Sequence, residues 1–254
     1  MIRDRVVAFL EGFGGCALLG WRALRAFFRA PIEWRPVIVQ LDVAGLGSWT
    51  MAVLALASTG MSMAMQFASG LEPYGGSMYT GKLTSLGVAR ELGPLLTALL
   101  VGGRVGSGYA AEIGSMVVNE QVDAMRALGA DPIKKLVAPR VVACMILMPL
   151  LAMLADVVGI LGAGVVTTKE VGITWSFFYN QLIDTLWASD LLHGLIKSFF
   201  FGAIVGVTSC WVGLQARGGT EGVGLATSRA VVIGALSLLV SGLLLTKFLL
   251  VVYA

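Results

Sequence analysis

Five long runs of apolar residues constrain this chain more than any other feature of its sequence. Each run is close to the ~20 residues that an α-helix needs to cross the hydrocarbon core of a bilayer. Charged residues make up only 13% of the 254 residues, and hydrophobic residues make up 57%, whereas a typical soluble domain is about 25% charged. We therefore expect an all-α integral membrane protein.

The runs place five transmembrane helices at about residues 46–69, 92–117, 137–166, 191–214 and 230–252. No internal repeat, low-complexity tract or soluble segment interrupts them, so residues 1–254 are treated as one membrane domain. The third run is long enough to tilt or to protrude from the bilayer. Residues 70–90 are expected to form a loop, and the aromatic-rich residues 167–190 a short helix on the membrane surface.

The N-terminal residues 1–35 are apolar but contain several arginines. Arg22, Arg25 and Arg29 share one helical face, and Trp21 lies on another. This pattern predicts a helix lying in the membrane interface, with its arginines reaching lipid headgroups. A cleaved signal peptide is the alternative, but glycines interrupt the apolar stretch and no clear cleavage site follows it.

The distribution of basic residues predicts the orientation. Twelve Lys and Arg residues lie in the N-terminal segment and in the loops after spans two and four, whereas the opposite loops hold three. Because basic loops stay on the cytoplasmic side, the N-terminus is expected to be cytoplasmic and the C-terminus outside.

A short charged island, residues 119–140, separates the second and third runs. Four apolar residues in or just before it share one helical face: Val118, Val122, Met125 and Leu128. Asn119 is expected to cap this helix, Gly129 to end it in a left-handed conformation, and Pro132 to stop it from continuing. Nine residues would give a helix of only ~13 Å, too short to span a bilayer. We expect a cytoplasmic helix presented to a partner.

Three charged residues lie deep within the predicted spans: Arg104, Glu112 and Asp156. Intramembrane charges are energetically expensive and frequently functional. Arg104 and Glu112 lie eight residues apart, roughly 12 Å along a helix, so each should find its partner on another helix or at a subunit contact. Structural pairing is the simpler reading of these residues.

Glu91 is predicted at the outer entrance of span two, either as a solvated cap or lining an opening toward the outside. Lys197 and Lys247 are expected near outer helix ends, where their ammonium groups can reach the interface. An apolar cavity suited to acyl chains is a further hypothesis, the alternative being that these faces meet bilayer lipid or neighbouring helices. Its candidate lining residues are Met61, Met65, Phe67, Tyr74, Glu91, Leu92, Leu243 and Leu244.

Other chemistry has little support in the residues. No two of the three cysteines form a CxxC motif. The single histidine, His193, has no nucleophilic-serine motif of a hydrolase near it in the sequence. No nucleotide-binding motif is present. We therefore expect no catalytic residue, metal site or bound cofactor in this chain, and any energy for transport must enter from a partner.

Several motifs resemble those of known permeases. Residues 123–129, Asp-Ala-Met-Arg-Ala-Leu-Gly, resemble the EAAxxxG loop of ABC importer permeases. More specific are segments that resemble the MlaE/YrbE permease family: residues 90–94, 103–107, 111–116, 120–125, 129–132, 139–140, 197–199 and 217–224. One mild departure is Val118-Asn119, which stands where the family often has Arg or Thr before the Glu-Gln pair.

The resemblance implies a homodimeric permease in the bacterial inner membrane. An ABC ATPase dimer, with its ATP and Mg, would dock on the cytoplasmic side. A ring of MCE-domain lipid-binding proteins would lie on the periplasmic side, in some systems with a STAS-domain protein on the ATPase. Phospholipids would be the substrate, and nucleic acid has no part. The ATPase-coupling helix would present Glu120, Gln121, Asp123, Ala124, Met125, Arg126, Leu128 and Gly129.

Two other functions stay open at this point. One is a secondary transporter driven by protons or sodium, with Asp156 and Glu112 as coupling carboxylates. Five spans without a repeat argue against it, because such transporters often contain repeated halves. The other is a non-transporting membrane anchor for a lipid-binding ring.

Overall fold

A computed structural model describes residues 2–29 and 33–252, with the side chains of residues 12, 14–29 and 33–252. Within these ranges the chain is helical and contains no β-strand. The α-helices are α1 (Ile2–Phe27), α2 (Trp34–Leu46), α3 (Trp49–Leu71), α4 (Thr80–Gly87), α5 (Gly93–Val118), α6 (Gln121–Ala127), α7 (Ala138–Glu170), α8 (Trp175–Thr185), α9 (Ala188–Gly213) and α10 (Gly219–Val252).

Five helical segments are long and apolar enough to cross a membrane, which confirms the expected all-α class with five spans. They are Trp49–Tyr74, Ser77–Val118, Ile133–Glu170, Ala188–Gly213 and Gly219–Val252. The fifth begins eleven residues before the expected start near 230, because its first turns are helical although they carry Glu221 and Arg229. Hydropathy alone marks the apolar part of a helix and misses a polar beginning.

The prediction of a loop over residues 70–90 was wrong, because most of this segment is helical. Two 3₁₀ turns lead into α4, which a π-helical turn, Val88–Leu92, joins to α5. Small polar side chains make α4 look loop-like, yet Ser85 donates its hydroxyl to the Gly81 carbonyl at 2.8 Å. Phe178 of α8 packs against Gly81, so tertiary contacts stabilise this weakly apolar helix.

The N-terminal segment expected to form a helix, residues 1–35, contains α1, and a second helix, α2, begins at its end. Helix α1 ends at Phe27 and α2 begins at Trp34. The side chains of Trp21 and Arg22 are exposed, and Ala23 is buried. An interfacial position for α1 stays a prediction.

Contacts divide the chain into two compact units, both assembled from separate stretches of sequence. The first unit comprises Met1–Gly45, Gly102–Leu147 and Gly202–Leu238. Its core brings Phe27, Ile113 and Val141 together with Cys210. Burial raises the pKa of the Cys16 thiol to about 11, which favours the neutral thiol over the nucleophilic thiolate.

The second unit comprises Leu46–Val101, Met148–Phe201 and Leu239–Ala254. Here α3 and α7 approach so closely that a Cβ atom added at Gly60 would overlap the backbone carbonyl of Gly159. Ala64 and Ala163 continue the same contact as buried small residues. Small side chains let membrane helices pack backbone to backbone, which is a main source of their association in lipid.

Replacing Gly60 by Ala should loosen this contact, because the new methyl group has no space beside Gly159. We expect a loss of about 1–3 kcal/mol in unfolding free energy, as for other overpacked sites. The measurement is thermal unfolding of the purified chain in detergent micelles.

Gly70→Ala is the matched control, since Gly70 is also helical, in the same helix, with open space at its Cβ position. It should be neutral or stabilising by up to about 1 kcal/mol, because Ala is the better helix former. Equal unfolding temperatures for the two variants would contradict the close contact.

Candidate functional site

The first candidate site, in the second unit, is built around the π-helical turn Val88–Leu92. In this turn the Gly93 amide donates to the Val88 carbonyl, five residues earlier. Pro94 follows at once and has no N–H for the carbonyl of Arg90, four residues before it. Such π-bulges occur frequently at functional sites. The turn leaves a backbone acceptor available to another helix.

Lys197 of α9 supplies that donor. Its Nζ atom donates to the Arg90 carbonyl at 2.9 Å and to Glu91 Oε1 at 2.6 Å. The Lys197 side chain is only 2% exposed, whereas that of Glu91 is 46% exposed. Lys197 was expected near an outer helix end with its ammonium at the interface; instead it is buried, because the carboxylate and the freed carbonyl together replace its water.

A second ion pair holds the same turn to the beginning of α9. Arg90 donates from Nε and Nη2 to Asp190 Oδ1, the first of these at 2.7 Å. The other carboxylate oxygen of Asp190 accepts the Trp187 amide at 3.0 Å. Asp190 is buried, with 2% of its side chain exposed. The π-turn is therefore fixed to α9 by two charge pairs, one on each of two successive residues.

Glu91 also contacts α10. The Thr246 hydroxyl donates to Glu91 Oε1 at 2.9 Å. Its second acceptor is the Gly242 carbonyl, at 2.8 Å. Glu91 is also one of the residues that line a groove between α5, α9 and α10.

The groove has a volume of about 520 Å³, within the range usual for small-molecule sites. Five large apolar side chains dominate its wall, and the polar side chains belong to Glu91, Thr246 and Lys247. Its lining residues are Glu91, Leu95, Phe201, Leu239, Gly242, Leu243, Thr246, Lys247 and Leu250. A groove whose wall is apolar except for a few charged and polar side chains is amphipathic, as a lipid is.

The structure brings only two of the eight candidate cavity residues into this groove, Glu91 and Leu243. Leu244 is 60% exposed and Leu92 half-buried, and neither belongs to the lining. The other four candidates also lie outside it. Met61 packs against α7 at Gly162, Phe67 is half-buried, and Met65 and Tyr74 are exposed.

Asp156 of α7 lies in the second unit, 8% exposed. A Cβ atom at Gly93 would overlap its carboxylate, and among the described residues no hydrogen-bond partner reaches its Oδ1 atom. The carboxylate thus rests against the start of α5, directly after the π-turn.

The second candidate site, in the first unit, is the hairpin around α6. Glu120 rather than Asn119 precedes the helix, in a left-handed conformation with φ of 58° and without a side-chain cap. The predicted end is confirmed, since Gly129 has φ of 77°. The Ala130 amide closes the turn on the Met125 carbonyl at 2.9 Å. This arrangement is a Schellman motif.

The surface of α6 is mostly exposed. Val122 is buried and Met125 half-buried, which attaches the helix to the rest of the unit. Arg126 donates to Asp123 Oδ1 at 2.8 Å. The other predicted coupling residues are exposed: Glu120, Gln121, Ala124, Leu128 and Gly129. Leu128 is 86% exposed, an unusual position for a leucine in a loop of charged residues.

The turn after α6 is tied to the segment between α1 and α2. Lys134 donates to the Arg29 carbonyl at 3.1 Å, and Lys135 to Glu33 Oε1 at 2.5 Å. The Lys135 hydrogen bond lowers the pKa of the Glu33 carboxyl below its ordinary value. Because this pKa is depressed, the pair contributes at neutral pH and is lost as the pH falls through the folded-state pKa.

The two helices that flank the hairpin are joined by a charge pair. Arg140 of α7, 7% exposed, donates to Glu112 Oε2 of α5 at 2.7 Å. Its guanidinium also lies 5.6 Å from the ring centroid of Tyr109. Glu112 therefore has its expected partner on another helix. Arg104 is exposed on α5 and has interactions of its own.

Sequence reasoning missed most of the groove. It did not pair Lys197 with Glu91 or Arg90 with Asp190, and it did not include Thr246 or Lys247 in a site. Two lysines inside apolar runs and a proline directly after Arg-Glu-Leu-Gly were the available signals. Among the described residues, no group of three or more His, Cys, Asp or Glu side chains is placed to hold a metal ion.

Comparison with known proteins agrees with this architecture. Residues 37–248 match the family model described as Permease MlaE. The chain belongs to the MlaE permease family. It is thus a multi-pass membrane protein and a transporter permease.

Relatives of this MlaE-family permease match most of its length. A probable ABC transporter permease protein of Rickettsia felis is 34% identical over 246 residues, 97% of this chain and 95% of the relative. A probable ABC transporter permease protein of Synechocystis is 38% identical over 215 residues, which are 85% of this chain and 82% of the relative. The chloroplastic protein TRIGALACTOSYLDIACYLGLYCEROL 1 of Arabidopsis thaliana is 33% identical over 231 residues, which are 91% of this chain and 66% of the relative.

Removing the carboxylate of Glu91 should destabilise this permease, because the buried Lys197 ammonium would lose its charged partner. We expect Glu91→Leu to lower the unfolding free energy by about 1–3 kcal/mol. The double variant Glu91→Leu/Lys197→Met should recover much of the loss, since it removes both charges. Thermal unfolding in micelles measures both effects.

Glu170→Leu is the control, an exposed carboxylate in the same unit. It should leave the unfolding temperature unchanged. Losses that simply add in the double variant would show that the two side chains do not depend on each other.

Proposed function

We propose that this chain is the transmembrane subunit of an ATP-driven lipid transporter, coupled to separate ATPase subunits. The observation that carries the proposal is the groove, whose wall combines five large apolar side chains with the polar side chains of Glu91, Thr246 and Lys247. Acyl chains fit the former and a polar headgroup the latter. The name of the Arabidopsis relative contains that of a galactolipid, which agrees with a lipid substrate.

The charged residues of the groove explain why a whole lipid with its headgroup, rather than acyl chains of the surrounding bilayer, should occupy it. Glu91 is 46% exposed within a segment apolar enough to span a membrane. An ionised side chain facing hydrocarbon is unfavourable by several kcal/mol. A headgroup with its water would solvate Glu91, while the tails would cover the leucines of the wall.

The α6 hairpin is the proposed handle for the ATPase. Its exposed Leu128 and its Asp123–Arg126 pair offer an apolar contact beside two charges, suited to a groove on a partner. The relatives named as ABC transporter permeases support ATPase partners and a dimer of permease subunits. Force applied to α6 would reach α5 and α7 directly, because the hairpin joins them and Arg140 pairs with Glu112 across them.

This assignment also sets the expected location. The basic residues around α6 predict a cytoplasmic hairpin by the positive-inside rule. The permease would lie in the inner membrane with its C-terminus in the periplasm. A ring of MCE-domain proteins there, with an optional STAS-domain protein on the ATPase, completes the proposed assembly, and phospholipids are the proposed cargo.

The two other functions have less support. An ion-coupled transporter would use Asp156 and Glu112 as its coupling carboxylates, but Glu112 is already paired with Arg140, which leaves Asp156 alone for that role. A passive anchor for a lipid-binding ring would need neither a groove with charged lining nor an exposed cytoplasmic helix.

Reversing the charges on α6 should prevent ATPase binding. The double variant Asp123→Lys/Arg126→Glu keeps the ion pair within the helix but inverts the surface that a partner meets. We expect loss of ATPase co-purification from cells that express both subunits, while the permease stays in the membrane.

A swap of two neighbouring charges at the end of α7, Lys169→Glu/Glu170→Lys, serves as the control, because both residues are exposed and lie in the other unit. It should leave co-purification intact. Normal ATPase binding by the α6 variant would exclude coupling through this helix.

Substituting Glu91 should impair lipid movement more than assembly. Glu91→Lys places a second ammonium beside Lys197 and removes the carboxylate at the end of the groove. We expect lipid transfer between reconstituted vesicles to fall roughly tenfold, equivalent to ~1.4 kcal/mol. Glu91→Gln keeps the side-chain shape and should give a smaller loss.

Glu72→Lys, at an exposed position after α3, provides the comparison and should transfer lipid normally. Co-purification of the ATPase reports assembly for each variant. Wild-type transfer rates in both Glu91 variants would refute a role of this residue in lipid movement.

A further inference from the structure

Lys247 is the charged residue of the groove for which the described structure supplies no counter-ion. It lies on the same face of α10 as Leu243 and Leu250, and all three line the groove. Its side chain is exposed. Within residues 12, 14–29 and 33–252, where side chains are described, no carboxylate forms an ion pair with it.

The surrounding charges do not balance it. Glu91 is matched by Lys197, and Arg90 by Asp190, so these four side chains together carry no net charge. Among the side chains that line the groove and their ion-pair partners, Lys247 therefore leaves one net positive charge. An uncompensated charge is unfavourable next to hydrocarbon. An occupant with one negative charge would make the groove neutral.

The apolar wall narrows the choice of anion. A free phosphate ion would satisfy Lys247 but leave the leucines and Phe201 uncovered. A lipid with a singly anionic phosphodiester headgroup satisfies both parts of the groove. A zwitterionic lipid fits the wall equally well but brings no net charge to offset Lys247.

We infer that Lys247 binds the phosphodiester of the transported lipid and makes this permease prefer singly anionic headgroups over zwitterionic ones. The inference rests on the proposed lipid-transport function and deepens it by naming the headgroup class. Lys247 is the residue that binds the anion, because the charges of Glu91 and Lys197 cancel each other.

The experiment uses the full chain, purified with its ATPase subunits and reconstituted in vesicles of equal parts phosphatidylglycerol and phosphatidylethanolamine. Lipids retained on the protein after gentle detergent extraction are quantified by mass spectrometry, and the ratio of the two is the readout. For the wild type we expect phosphatidylglycerol to be enriched roughly fivefold, the size of effect that a partly solvated charge pair gives. Lys247→Gln should bring the ratio close to one.

Two variants make the result specific. Lys247→Arg keeps the charge and should keep the enrichment, which a role of the lysine in packing alone would not explain. Lys169→Gln removes an exposed lysine from the end of α7 and should leave the ratio unchanged. A lysine that merely reaches the bilayer surface would make Lys247→Gln behave like Lys169→Gln, and the inference would fail.

The other outcomes separate this inference from the proposed function. Equal retention of both lipids by the wild type overturns the Lys247 assignment and leaves lipid transport standing. Displacement of the retained lipid by millimolar inorganic phosphate would show a site for free phosphate instead of a headgroup. Absence of any retained lipid from wild type and variants alike would count against lipid transport itself.

Discussion

The placement of a buried ammonium group governs the second unit. Lys197 lies in a helix that is apolar enough to cross a membrane, and it is almost fully enclosed. A lone charge in such a position would be neutralised or expelled, so the fold must supply a carboxylate and a carbonyl within reach. Pro94 and the π-turn supply both from consecutive residues. The geometry of α5, α9 and α10 around the groove follows from that requirement.

The first unit also contains a buried cation that is paired with a carboxylate on another helix. Arg140 is buried beside Tyr109 and matched by Glu112, so the helices on either side of the α6 hairpin are joined by charge as well as by packing. The hairpin itself has few buried side chains. A protruding element on a firmly joined pair of helices is suited to passing on movement without deforming.

Much of the architecture could be predicted because hydropathy dominates in a membrane. The five spans and the helix end at Gly129 follow from apolar runs and from glycine's access to left-handed backbone. The helical character of residues 77–92 could not be predicted, since α4 is polar and gains its stability from Phe178 and neighbouring helices. The beginning of α10 at Gly219 was missed for a similar reason.

The groove was harder to predict than the helices. Span one, predicted at residues 46–69, supplied three candidate cavity residues because its methionines and Phe67 suggested a cavity for acyl chains, yet Met61 packs against α7. Which helix faces meet depends on long-range packing that a single sequence does not encode in its periodicity. Charged residues within the apolar runs indicated the groove better than the apolar residues did. Glu91 was found from sequence, and a search for the partners of Lys197 and Lys247 would have pointed to α9 and α10.

The π-turn at Val88–Leu92 sets the direction in which Arg90 and Glu91 point from the helix axis. A π-turn holds one more residue than an α-turn, and one residue of an α-helix corresponds to about 100° of rotation. Rewinding this turn as α-helix would swing Arg90 and Glu91 around the axis of α5 without bending the helix. The two ion pairs to α9 oppose that rotation and hold both side chains in the observed register.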